Sequence, residues 1–175
     1  MLKKSQVWVE TAIYTLIGLT IISIILSTAL PQIEKIRDRE TIKQTITALN
    51  KLNLKISEAR ESIGSIRTAD LKLSKGRLEI NPENDTLVYI LENTKLELSE
   101  PGIKIKEGDV IVQTEKYGSR FNIFLSLNHS GSINMTYLGG NGKKTLQPGS
   151  VPYNIKIENM GVGPDTRYVL DFSLT

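Results

Sequence analysis

The chain has 175 residues, 39% of them hydrophobic, and a net charge of +3. That length fits one domain with one modest core. It contains no cysteine, which excludes disulfides, thiolate metal sites, cysteine nucleophiles and any small disulfide-stapled scaffold.

The charge is unevenly placed. Residues 1–63 carry nine Lys/Arg against six Asp/Glu, and the remaining residues carry thirteen of each. The C-terminal part is therefore neutral and lacks the basic excess of a nucleic-acid-binding domain, so no nucleic-acid partner is expected.

The first predicted element is a helix. Residues 11–30 form twenty consecutive uncharged positions, rich in Ile and Leu, with Gly18 among them. As a helix they rise roughly 30 Å, the thickness of a bilayer's hydrocarbon core. The run has no polar face, so a spanning helix is expected rather than a buried soluble one. The apolar residues of this membrane helix include Val7, Trp8, Ile13, Leu16, Ile17, Ile21, Ile24, Leu26 and Leu30. A cleaved secretory signal would have a shorter apolar region and a small-residue cleavage site, for which only Ser27-Thr28-Ala29 qualifies. Lysine counting leaves the orientation open, because Lys3 and Lys4 precede the segment while Lys35, Arg37 and Arg39 follow it. Glu10 stands at its head. It either sits at the interface, favoured by the helix dipole, or pairs with a cation of another chain.

Pro31 is expected to kink or interrupt the helix. Residues 32–63 then show a helical stripe of Ile42, Ile46, Leu49, Leu52, Ile56, Ala59 and Ile63, stopped by Gly64. With the apolar run, this makes about 55 helical residues, roughly 80 Å. The stripe spans only three heptads and is interrupted by Asn53 and Arg60, so packing on the chain's own sheet is expected over a coiled coil between copies.

From residue 65 the period becomes two. Strands are predicted over 68–73, 77–80, 86–92, 95–98, 109–114, 120–126, 132–138, 153–158 and 167–174, separated by Gly-, Asn- and Pro-rich turns. Short strands at this spacing predict an antiparallel sandwich, so the fold class is α+β: a long N-terminal helix, hydrophobic then amphipathic, followed by a β-sandwich-like domain over 65–175.

Lys3-Lys4-Ser5-Gln6-Val7-Trp8-Val9-Glu10, followed at once by the apolar run, resembles the class III signal of type IV pilins and archaellins. The resemblance covers about the first 30 residues, and the helix-then-β plan is similar to that of archaeal pilins. It implies a leader over 1–5, recognised through Lys3 and Lys4 and cut between Ser5 and Gln6 by a prepilin peptidase. The helix from Gln6 onward stays in the mature chain, with 7–30 as its membrane and filament-core part. Glu10 lies four residues beyond Gln6, matching the glutamate that many pilins pair with a neighbour's N-terminal amine. Ser5 departs from the commoner Gly or Ala. The function implied is that of a structural subunit, a homo-oligomer in an extracellular pilus-like filament. It is held in the cytoplasmic membrane before the assembly machinery takes it up, and adhesion is one task for such a filament. The alternative is a single-span, membrane-anchored extracellular β domain that binds a partner and does not polymerise.

No catalytic constellation is legible, and neither enzyme activity, cofactor nor metal is expected. His129 is the single histidine, placed in a polar turn and read as a solvated loop residue. Gly161-Val162-Gly163-Pro164 reads as a turn, not a nucleotide loop. Asn84, Asn128 and Asn134 open Asn-X-Ser/Thr sequons, candidate N-glycosylation sites if the domain is outside the cell. With 11 Asn in the chain, about two such sequons arise by chance.

Overall fold

The computed structural model describes residues 2–174, with side chains described from Val7 onward. A single helix, α1 (Leu2–Arg60), is followed by ten strands. These are β1 (Ile66–Leu71), β2 (Arg77–Asn81), β3 (Thr86–Thr94), β4 (Lys104–Glu107), β5 (Val110–Tyr117), β6 (Arg120–Asn128), β7 (Ile133–Tyr137), β8 (Lys144–Leu146), β9 (Tyr153–Val162) and β10 (Tyr168–Leu174). The α+β class is as expected. The chain divides into two compact units, Met1–Arg37 and Asp38–Thr175.

Within the first unit α1 continues through Pro31, so of the two expected effects the interruption does not occur. A proline removes one intrahelical hydrogen bond at a cost of about 3 kcal/mol. A helix of 59 residues has enough other bonds to carry that loss.

The second unit holds the core. Its helical part buries Ile42, Ile46, Leu49, Leu52, Ile56 and Ala59 in one cluster with residues of both sheets, so the stripe packs on its own domain. Ile63 is a correction: it is 68% exposed and lies beyond the helix, which ends at Arg60. The stop is set from afar. The buried Asn159 donates its Nδ2 to the carbonyls of Ala59 (2.9 Å) and Arg60 (3.4 Å), and Ser65 Oγ donates to Ala59 O (3.0 Å). These bonds satisfy carbonyls that the helix end would leave unpaired.

One sheet has the order β1-β9-β10-β7 and the other β4-β5-β6-β3-β2-β8. Every pair is antiparallel except β10 with β7, a departure from the all-antiparallel expectation. Two intervening strands, β8 and β9, give the chain the length that a parallel return requires. Asp85 ties the sheets together. Its carboxylate accepts from the Met135 N–H of β7 (2.7 Å) and from Arg167 (2.6 Å), while its carbonyl accepts from the His129 N–H (2.9 Å).

Two further expectations change. Residues 95–98 form no strand. Leu96 is buried there, but its N–H goes to the Thr94 hydroxyl and that of Ser99 to the Thr114 hydroxyl, bonds a neighbouring strand would otherwise provide. Conversely β4 and β8 were not predicted. Both are short sheet-edge strands with little apolar alternation to reveal them.

Candidate membrane helix and surface sites

The first unit carries the predicted spanning segment. Val7, Trp8, Ile13, Leu16, Ile17, Ile21, Ile24, Leu26 and Leu30 are each 49–80% exposed. A helix of this length and composition is long and apolar enough to cross a membrane, and none of its most apolar stretch is buried by the rest of the described chain.

Its polar side chains are arranged for an apolar surrounding. All six Ser and Thr hydroxyls from Thr11 to Thr28 bond back to helix carbonyls. Thr11 donates to Val7 O (2.9 Å), Thr15 to Thr11 O (2.8 Å), Thr20 to Leu16 O (2.8 Å) and Ser23 to Leu19 O (2.7 Å). Ser27 donates to Ile24 O (2.8 Å), and Thr28 is shared between Ile24 O and Ile25 O. Without water, an unmet hydroxyl is costly, and these local bonds remove that cost. Glu10 is exposed at the head of the segment, and a Cβ at Gly18 would meet nothing within 4 Å. The helical backbone extends through Lys3, Lys4, Ser5 and Gln6, but leader recognition falls on side chains outside those described, and the pairing of Glu10 is with the Gln6 amine of another copy.

The three sequon asparagines each stand next to a residue of one hydrogen-bond cluster, in which Asp85 accepts from the His129 and Met135 N–H groups. Asn84 is exposed at the end of a 3₁₀ turn, Pro82–Asn84. Asn128 is exposed at the end of β6, where its Oδ1 accepts from the Ser130 N–H (3.0 Å) and hydroxyl (2.8 Å). Asn134 is half-buried in the edge strand β7.

His129 differs from its expected place in solvent. It is half-buried, and its Nε2 is enclosed with no hydrogen-bond partner. Burial foremost, and then the charge of Arg60, push its pKa below the ordinary imidazole value, against the opposing pull of Asp85 and Asp109. It lines a cleft with Asn53, Ser57, Arg60, Lys106 and Asp109 that the sequence reading did not identify. Its parts are separated by about 75 residues and no motif joins them. Among the described residues, no three His, Asp or Glu side chains are grouped so as to hold a metal ion.

Comparison with known families, characterised proteins and solved structures finds no match to this chain.

Proposed function

We propose that the chain is a structural subunit of an extracellular type IV pilus-like filament, stored in the membrane on its N-terminal helix before assembly. The observation that carries this reading is the segment from Val7 to Leu30, whose apolar side chains are exposed on every face. Such a surface needs lipid or other helices around it. In the membrane, lipid covers it. In a filament, the same helices of neighbouring copies do, and a head-to-tail contact that does not close extends without limit. The internally satisfied hydroxyls suit both environments.

The Lys3-Lys4-Ser5-Gln6 leader and Glu10 supply the remaining parts of the reading. Cleavage before Gln6 frees an amine, and Glu10 of an adjacent copy neutralises it, which offsets the cost of a carboxylate in an apolar core. The test is mass spectrometry of the N-terminal peptide from membranes and from sheared extracellular material. The expected result is a sheared-fraction peptide beginning at Gln6. An intact Met1 found only in membranes would favour the alternative, a single-span anchored β domain. A start near Pro31 would remove both readings. Glu10→Ala is expected to reduce sheared filament at least tenfold while the subunit still accumulates in the membrane.

A further inference from the structure

Of the 11 asparagines in the chain, Asn84, Asn93, Asn128 and Asn141 are the exposed ones among the described residues. An asparagine side chain can be attacked by the main-chain nitrogen of the next residue. The attack needs a nitrogen whose N–H is not held elsewhere and a backbone free to bring it onto the side-chain carbonyl carbon. It also needs no bulky side chain in the way. The fold meets these conditions unequally at the exposed positions.

After Asn84, the Asp85 N–H donates to Pro82 O (3.2 Å), and the buried Asp85 carboxylate is bonded to Met135 and Arg167. After Asn128, the His129 N–H donates to Asp85 O (2.9 Å). The Asn128 carboxamide is itself held, its Oδ1 accepting from the Ser130 N–H and hydroxyl. After Asn93 comes the branched Thr94, 1% exposed, with its hydroxyl on Asp38. At each of these positions the attack would break a bond of the fold or displace a buried side chain.

Asn141 is different. It lies with Gly142 and Lys143 in an irregular stretch between the turn closed by Tyr137 and Gly140 and the start of β8. Neither the Asn141 side chain nor the Gly142 N–H has a hydrogen-bond partner among the described residues. Gly142 has no side chain to block the approach, and a Cβ placed there would meet nothing within 4 Å. No other asparagine in the sequence is followed by glycine. We propose that Asn141 is a site of spontaneous deamidation. The Gly142 nitrogen, on losing its proton, attacks Cγ of Asn141. The bond from Cγ to the side-chain nitrogen breaks, ammonia leaves and a cyclic imide closes. Water then opens the ring at either carbonyl, giving aspartate or isoaspartate. Both products place a new carboxylate beside Lys143 and Lys144. Isoaspartate also lengthens the main chain just before β8, a three-residue edge strand paired with β2. Water is the only co-reactant, so the converted fraction records the age of the chain. The site lies within the second unit and does not depend on the filament reading.

The test is incubation of the purified full-length chain in mildly alkaline detergent buffer, folded and in guanidinium chloride, followed by tryptic mass spectrometry. The peptide 121–143 carries Asn122, Asn128, Asn134 and Asn141, so one fragment spectrum compares half-buried, bonded and free asparagines. In the folded chain Asn141 is expected to convert within about threefold of its rate in denaturant, and Asn128 roughly tenfold or more slowly than Asn141. Gly142→Ala, at an open position, is expected to slow Asn141 roughly tenfold without changing the thermal midpoint. Enzymatic methylation of isoaspartate is expected to label the same peptide. Protection of Asn141 by folding, equally fast conversion of Asn128, or indifference to Gly142→Ala would overturn the proposal.

Discussion

At the scale of single residues, a few buried polar groups carry much of the specification. Asn159 is one. It donates to two carbonyls at the end of α1, and its Oδ1 accepts from the Gly161 N–H at 2.9 Å. Replacing it by Ala leaves three backbone groups without that partner, so Asn159→Ala is expected to lower unfolding stability by about 2–3 kcal/mol, read from denaturant midpoints. His129 gives a second prediction. Its pKa is lower folded than the 6.5 of the free side chain, so the unfolded chain binds more protons below that pH. Its contribution is fully present above pH 6.5 and is lost as pH falls towards the folded value. Thermal midpoints should therefore fall between about pH 7.5 and about pH 5.5, where carboxylates remain ionised, and His129→Gln should flatten that slope. An equally steep slope in the variant would assign the effect to other groups.

At the scale of elements, α1 is one helix with two different surfaces. From Val7 to Leu30 its apolar residues face outward all round; from Ile42 they follow one stripe into the core. Leu49 is fully buried and Leu54 is 58% exposed, although they are the same residue type five positions apart. Leu49→Ala should cost about 2–5 kcal/mol through lost burial and a residual cavity. Leu54→Ala should stay within about 0.5 kcal/mol, and thermal or urea unfolding of the two variants would separate them. The buried Asp38 fixes where the second surface begins. It accepts from Lys75 at 2.6 Å and from the Thr94 hydroxyl, joining the helix to the segment before β2 and to the end of β3.

At the scale of the whole molecule, every buried hydrophobic side chain among the described residues lies at or beyond Ile42. The unit from Asp38 to Thr175 thus contains its own core. A chain beginning at Asp38 is expected to be soluble and to show a cooperative thermal transition, while the full chain partitions into membranes or detergent. Loss of the transition on truncation would mean that the N-terminal unit supports the fold. Most of this plan was legible from periodicity. The uncharged run, the stripe from Ile42 to Ala59 and eight of the strands follow from which side chains must leave water, and that pattern repeats at fixed spacings. Strands β4 and β8 were not legible, because short exposed edge strands bury too little to leave a pattern.

What the sequence alone determined is the division of labour: an apolar helix that no soluble surface suits, then an alternating β region, because both rest on local side-chain periodicity. What only the tertiary structure decided is everything that depends on distant residues meeting. The helix stops at Arg60 rather than at Ile63 because Asn159, a hundred positions away, reaches its last carbonyls. The segment over 95–98 stays irregular because the Thr94 hydroxyl takes the Leu96 N–H, and the Thr114 hydroxyl that of Ser99 just beyond it. β7 runs parallel to β10 because the chain leaves β7 for β8 of the other sheet and returns through β9 before β10 pairs with it. His129 is enclosed rather than solvated because the turn after β6 folds against α1 and Asp85. Each outcome is set by hydrogen bonds and burial between residues far apart in the chain, for which a linear pattern of polarity carries no signal.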